Sequence, residues 1–215
     1  MNSKYLSELL GTFLLTSSVV GSGIMAENLS SGNLALALLV NTISTGAILF
    51  VIIKMFSQTS GAHFNPVVSF IFFLKRELGK NDFVYYVAIQ IISALLAIIL
   101  THYLFDLSLF QISKNHRGEL NMFVSEAIAT FGLVLTILLV RENDETSVAL
   151  SVAFYIMAGY WFTPSTSFAN PAGLIGRVFT DTFTGIAPSS FLFFLLGQLL
   201  GALFSLLIYT GLKKS

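Results

Sequence analysis

The chain has 215 residues, of which 55% are hydrophobic and only 10% are charged, and its mean hydropathy is +0.83. Soluble domains carry about 25% charged residues, so this composition excludes a soluble protein. Eleven basic and eleven acidic residues cancel, which leaves no basic surface for nucleic acid. The chain has no cysteine and only three scattered histidines, so we expect no thiolate chemistry, metal site or cofactor. We expect a multi-pass protein of the lipid bilayer.

Six apolar stretches have the length, or nearly the length, of a membrane-spanning helix. A hydrocarbon core of about 30 Å takes about 20 helical residues to cross. The stretches are residues 6–24, 34–56, 83–104, 122–140, 148–162 and 191–212, and the fifth is short. The sequence therefore predicts an all-α membrane protein with six transmembrane helices.

Two further apolar segments, residues 65–74 and 170–179, have about half the length that a span needs. Each opens with Asn-Pro, at Asn65-Pro66 and at Asn170-Pro171. Asn is a good N-cap and proline suits the first turn of a helix, so both pairs predict helix starts. A half-length helix is tolerated at membrane depth only where its end is buried in protein or faces a water-filled cavity. Two such helices imply a pathway.

The basic residues predict the orientation, because cytoplasmic loops carry an excess of Lys and Arg. With the N-terminus inside, six spans place both termini in the cytoplasm. Eight basic residues then lie inside and three lie outside. The inside group is Lys4, Lys54, Lys75, Arg76, Lys80, Arg141, Lys213 and Lys214, and the outside group is Lys114, Arg117 and Arg177.

The chain contains an internal repeat. The segment ELLGTF that begins at Glu8 recurs as EAIATF at Glu126, and FNPV at residues 64–67 recurs as ANPA at 169–172. We therefore expect one channel domain over residues 1–215, with a first repeat at 1–112 and a second at 113–215. An odd number of spans in each repeat inverts the second in the membrane, so the two Asn-Pro ends meet near the midplane.

The segment SGAHFNPV at 60–67, the segment SFANPA at 167–172 and the two Glu-x-x-x-Thr-Phe openings resemble the aquaporin family, also called major intrinsic proteins. The likeness covers the whole chain, although Val67 stands where the first motif usually has alanine. It extends to the wide-filter, bacterial-type members associated with glycerol and metalloids. It implies six transmembrane helices with two re-entrant half-helices, and a homotetramer. We expect the protein in the plasma (inner) membrane.

The polar residues of the two motifs predict a barrier at the midplane. Each half-helix points the positive end of its dipole there, which repels cations and protons. Asn65 and Asn170, followed by Pro66-Val67 and Pro171-Ala172, offer side-chain amides to a neutral solute. The alternative is that both asparagines are only helix caps.

Three further ionisable residues are assigned structural roles. The family resemblance implies that Glu8 and Glu126 accept hydrogen bonds from the loops that lead into the half-helices. The alternative for these carboxylates is a proton relay of a coupled transporter. His63 is expected to anchor its loop rather than to bind a metal.

The family resemblance also places an outer constriction. Its four positions fall on small residues, which predicts a wide opening: Thr45, Ala158, Ser167 and Gly173. The last of these is commonly an arginine in the family. Arg177 lies one helical turn after Gly173, so its side chain either reaches back toward this position or pairs with Asp181. Both possibilities remain open at this stage.

These features predict a channel without catalysis. We expect it to pass small neutral solutes, namely water, glycerol-like polyols and neutral metalloid acids such as arsenous acid, and to exclude ions and protons. A secondary transporter is the first alternative, since inverted repeats and broken helices also occur in that class. A non-conducting structural membrane protein is the second.

Overall fold

The computed structural model describes residues 2–213, so Lys214 of the predicted cytoplasmic group lies outside the described residues. These residues are helical wherever they have regular secondary structure. The helices are α1 (Ser3–Leu29), α2 (Leu34–Ser60), α3 (Pro66–Leu74), α4 (Lys80–Leu104), α5 (Leu120–Asn143), α6 (Val148–Phe162), α7 (Pro171–Val178) and α8 (Pro188–Leu212). The all-α prediction is confirmed.

Five of these helices, α1, α2, α4, α5 and α8, are long and apolar enough to cross a membrane. The sixth predicted span is α6, which has only 15 residues. A 3₁₀ turn, Glu145–Ser147, precedes it, and the Asp144 side chain accepts a hydrogen bond from the Thr146 amide at 2.9 Å. Hydrogen bonds from the Ser147 and Thr146 side chains hold the pKa of Asp144 below its usual range. The turn and the short helix together make up this span.

The order helix, helix, half-helix, helix occurs twice along the chain, as α1–α4 and as α5–α8. The packing repeats as well, because α1 contacts α2 and α4 just as α5 contacts α6 and α8. The two sets are joined through α2 against α6 and through the half-helices α3 and α7, which contact each other. The half-helices thus lie between the two sets.

The long helices bury polar residues and expose apolar ones. Glu8, Gln90, Glu126 and Gln198 are fully buried, while leucine, isoleucine and phenylalanine side chains cover much of the outer surface. Lipid cannot hydrogen-bond polar groups, so this distribution suits a bilayer. The inward polar side chains are therefore the ones that position the site.

Helices α5 and α8 pack closely along one line of contact. Gly197 and Gly201 of α8 lie against the backbone carbonyls of Phe123 and Ala127, and a Cβ at either glycine would collide with them. Small residues four apart allow such close approach of two membrane helices. This packing fixes α8 beside the helix that carries Glu126.

Candidate functional site

The N-termini of the two half-helices meet and are joined by reciprocal hydrogen bonds. The Asn65 Nδ2 atom donates to the Ala169 carbonyl at 2.7 Å, and the Asn170 Nδ2 atom donates to the Phe64 carbonyl at 2.9 Å. Each asparagine also caps its own helix, since Asn65 Oδ1 accepts from the Val67 amide and Asn170 Oδ1 accepts from the Ala172 amide. Pro66 and Pro171 follow at the first helical position.

Glu8 holds the loop that leads into α3. Its two carboxylate oxygens accept hydrogen bonds from the Ser60 hydroxyl at 2.7 Å and from the amides of His63 at 2.9 Å and Phe64 at 2.7 Å. A fourth bond comes from Gln90 Nε2 at 2.8 Å. A buried carboxylate requires partners of this kind, because burying a charge without them is unfavourable.

Glu126 does the same for the loop that leads into α7. It accepts hydrogen bonds from the Phe168 and Ala169 amides, each at 2.9 Å, and from Gln198 Nε2 at 2.7 Å. Gln90 and Gln198 were not singled out from the sequence. Their position in the sequence could have identified them, because each is an isolated amide side chain within the apolar run of its repeat's last helix.

The two loops share an unusual backbone conformation. Ala62 and Phe64 have φ values of 52° and 48°, and Ser167 and Ala169, each 105 residues later, have 48° and 45°. Residues other than glycine are uncommon in this left-handed region and persist there only where surrounding contacts hold them. The carboxylates of Glu8 and Glu126 supply such contacts.

His63 lies within its own loop network. Its Nδ1 atom is 3.1 Å from the Ser69 hydroxyl, and its ring packs 4.7 Å from the Phe72 ring and 5.4 Å from the Tyr86 ring, measured between centres. In residues 2–213 no group of three or more His, Asp or Glu side chains is placed to hold a metal ion.

A cavity of about 650 Å³ runs past the junction of the half-helices. Asn65, Asn170 and Val68 line it at the junction, while Pro66, Val67, Pro171 and Ala172 are buried behind its wall. Along α6 the lining extends from the Thr146 end to Tyr160 near the opposite end. A cavity that follows a spanning helix from end to end and passes both asparagines has the form of a pathway.

At the Tyr160 end, four predicted constriction residues line the cavity, namely Thr45, Ser167, Gly173 and Arg177. The prediction for Ala158 is wrong, because this residue is exposed on the outer face of α6. Successive helical residues rotate by about 100°, so the inward face of α6 carries Ile156 and Tyr160 and places Ala158 on the opposite side. The Tyr160 hydroxyl is 3.1 Å from the Thr45 hydroxyl. This end is therefore not lined by small residues alone.

Arg177 does not pair with Asp181 in the described part of the chain. Its guanidinium carbon lies 3.2 Å from the centre of the Phe168 ring, and its Nε atom donates to the Thr184 carbonyl at 2.5 Å. Phe168 precedes the half-helix, so the Arg177 side chain is folded back toward the N-terminus of α7. The Asp181 carboxylate instead accepts a hydrogen bond from the Lys114 amide at 2.8 Å.

Helices that surround two end-to-end half-helices and a cavity running past them define a membrane channel. The sequence model of the family described as Major intrinsic protein matches residues 1–209. The chain belongs to the major intrinsic protein family, which confirms the resemblance to aquaporins. It is a channel for small neutral solutes and not an enzyme.

Individual relatives agree with this assignment. The chain is 45% identical over 214 residues to the aquaglyceroporin AqpS of Rhizobium meliloti, covering 100% of this chain and 91% of that protein. It is 29% identical over 194 residues to the glycerol uptake facilitator protein-like 6 of Lactiplantibacillus plantarum, covering 80% and 82%. The solved aquaglyceroporin of Plasmodium falciparum matches with a TM-score of 0.72 at 23% identity, covering 96% of this chain and 94% of that one, which shows the shared fold.

Proposed function

We propose that the channel passes water, glycerol-sized polyols and neutral metalloid acids such as arsenous acid down their gradients. The observation that carries this proposal is the two-sided wall of the cavity. Leu49 and Ile53 of α2 and Val152 and Ile156 of α6 present apolar side chains to it, whereas the half-helix loops present amides and hydroxyls. A polyol has a row of hydroxyl groups and a row of C–H groups, which such a wall accommodates together. The names of two relatives, an aquaglyceroporin and a glycerol uptake facilitator-like protein, support the same solute class.

Ion exclusion is assigned to the junction of the half-helices. Two helix N-termini, each equivalent to about half a positive charge, point at one place. Asn65 and Asn170 offer amide groups to a neutral solute in passage, whereas an ion finds no replacement there for its hydration shell. Glu8, Glu126 and His63 hold the loops and do not carry protons in this proposal. Each carboxylate is already occupied by three or more hydrogen bonds, and a relay requires a free path.

The proposed arrangement in the membrane has both termini in the cytoplasm of a plasma (inner) membrane, inverted repeats at 1–112 and 113–215, and a homotetramer. The basic side chains of Lys75, Arg141 and Lys213 support the orientation, because they join acidic residues in one cluster at the Thr146 end of the pathway. Reporter fusions at the C-terminus and near Lys114 are expected to label opposite sides of the membrane. Labels on the same side would contradict six spans.

Stopped-flow light scattering on proteoliposomes tests the solute class. Gradients of glycerol and arsenous acid are expected to dissipate much faster than in empty vesicles. Imposed proton or sodium gradients are expected to last as long as in empty vesicles and to drive no solute uptake. Glycerol flux no faster than in empty vesicles would contradict the polyol assignment. Coupling to an ion gradient would identify a transporter instead.

A further inference from the structure

Arg177 is a buried cation with unused hydrogen-bond donors at the Tyr160 end of the cavity. Its residue is only 5% exposed, yet none of the ion pairs within residues 2–213 includes it. The Phe168 ring and the Thr184 carbonyl hold the side chain, and the latter uses only Nε. In the described part of the chain its two Nη amino groups have no hydrogen-bond partner, although the side chain lines the cavity. These donors are available to a solute.

Ser167 supplies a second, independent group of this kind. It is 2% exposed, it lines the cavity, and its hydroxyl has no hydrogen-bond partner among residues 2–213. Gly159 of α6 leaves room for it, since a Cβ at that glycine would stand 2.7 Å from the Ser167 oxygen. An unpartnered buried hydroxyl is unfavourable unless a ligand or water completes it.

Gly173 keeps the space beside these groups open. A Cβ at this position would meet only Asn170 atoms, at 3.9 Å. The Thr45 and Tyr160 hydroxyls, which come from α2 and α6, complete the same end of the cavity. Guanidinium groups only donate hydrogen bonds, while hydroxyl groups both donate and accept them.

We propose that Arg177 and Ser167 form the binding site for solute hydroxyl groups at this end of the pathway, with the Thr45–Tyr160 pair as its other wall. In this arrangement Arg177, in the last turn of α7, supplies the cation that is absent at position 173, where the family commonly has an arginine. The site rests on the proposed function and narrows it: the favoured solutes are neutral molecules with two or three hydroxyl groups, whose oxygens accept from Arg177. Such a solute regains here the hydrogen bonds that it loses on leaving water.

The test compares glycerol and water permeabilities in proteoliposomes at equal protein abundance. Arg177→Met keeps an apolar chain in place of the aliphatic part of the side chain but removes the guanidinium with its donors. We expect the glycerol-to-water ratio to fall about tenfold, the factor that corresponds to about 1.4 kcal/mol and to the low end of a hydrogen bond to a charged group. Ser167→Ala is expected to lower the ratio less. The control is Arg117→Met, because Arg117 also lies near the Phe168 ring, at 5.2 Å, but does not line the cavity.

An unchanged ratio in Arg177→Met, or an equal fall in Arg117→Met, would overturn the assignment. If Arg177→Met does not reach the membrane, the transposed double variant Gly173→Arg with Arg177→Gly decides. Its ratio is expected to stay within about threefold of the unaltered protein, a difference of well under 1 kcal/mol. A tenfold loss would overturn the assignment. Absence of glycerol flux in the unaltered protein would contradict the proposed function itself, and this site with it.

Discussion

Arg177 stacks on Phe168 at a place where the first repeat has two aromatic rings. The residues 105 positions earlier are Phe72 and His63, whose ring centres lie 4.7 Å apart. The same scaffold therefore carries a ring pair at one end of the pathway and a guanidinium on a ring at the other. The inverted repeat fixes the position of the stack, while the side chains decide its charge.

The other end of the pathway also has a guanidinium, but a neutralised one. Arg141 of α5 lies 5.0 Å from the centre of the Phe72 ring and pairs with Glu77 at 2.5 Å. Arg177 has no acidic partner among the described residues. Within residues 2–213 the buried guanidinium at the Tyr160 end therefore lacks the neutralising carboxylate that Arg141 has at the Thr146 end.

Asn170→Asp tests the barrier at the junction. One carboxylate oxygen can keep the cap, but the other would face the Phe64 carbonyl, which now accepts from Asn170 Nδ2 at 2.9 Å. We expect the negative charge to reverse the local field, to admit sodium ions and to lower glycerol flux. Sodium leak and glycerol flux are measured in proteoliposomes. Asn115→Asp, in an exposed loop, is the control and should leave both unchanged. Unaltered fluxes in Asn170→Asp would show that the junction of the half-helices neither excludes ions nor contacts the solute.

The elements could be predicted from the sequence because apolar length and Asn-Pro starts are local signals. Each of the predicted spans corresponds to a helix, and α3 and α7 begin at the prolines. The contacts of the Arg177 side chain could not be predicted from the sequence, because the Gly173 position and Asp181 are both one helical turn away. Only the tertiary contacts with Phe168 and Thr184 decide between them.

The error at Ala158 has a specific cause. Its placement relied on the family's spacing from the Asn-Pro motifs, and that spacing crosses the loop between α6 and α7, whose path the sequence does not specify. In the structure α6 ends at Phe162, and its inward face passes through Tyr160. A helical wheel of α6 alone would not have resolved this, because nearly all of its residues are apolar.

Gln90→Leu tests whether the buried amides support the loops. The change removes one of the four hydrogen bonds to Glu8, and a bond to a charged group contributes about 1.5–3 kcal/mol. We expect a lower thermal unfolding midpoint in detergent and reduced flux through the protein that remains folded. Gln111→Leu is the matched control, because that amide donates to the Ser108 carbonyl at the surface. Equal stability of both variants would show that Glu8 needs only its loop partners.

Glu77 predicts a pH dependence at the Thr146 end of the channel. Burial acts to raise the pKa of this carboxyl, but hydrogen bonds from Arg141 and Lys75 hold it below its ordinary value of 4.5. A lowered pKa means that the ion pairs stabilise the fold above the ordinary value and that this stabilisation is lost as the pH falls through the lower, folded-state pKa. Glu77→Gln should therefore unfold at a lower temperature than the unaltered protein at neutral pH and lose the difference in acid.

The control for this measurement is Glu145→Gln, because Glu145 also lines the cavity but joins none of the ion pairs within residues 2–213. Thermal unfolding is followed from neutral pH to below pH 4, roughly the range in which a carboxyl of this kind titrates. A difference in unfolding temperature between Glu77→Gln and the unaltered protein that stays constant over this range would show that the ion pairs contribute nothing to stability.

Gly173→Arg tests the open space beside Asn170. A side chain at this position enters the cavity, since a Cβ there meets only Asn170 at 3.9 Å. With Arg177 still present, a second guanidinium would narrow the passage, so glycerol should be blocked far more than water.

Arginine is the better helix former by roughly 0.5–1 kcal/mol, so the helix itself should tolerate the change. Gly211→Arg is the control for a new arginine, because an added Cβ at Gly211 would come within 4 Å of none of the described residues packed around its helix. We expect the glycerol-to-water ratio to fall at least about tenfold, equivalent to about 1.4 kcal/mol of added barrier, in Gly173→Arg alone. The same ratio in both variants would place the size limit of the pathway elsewhere.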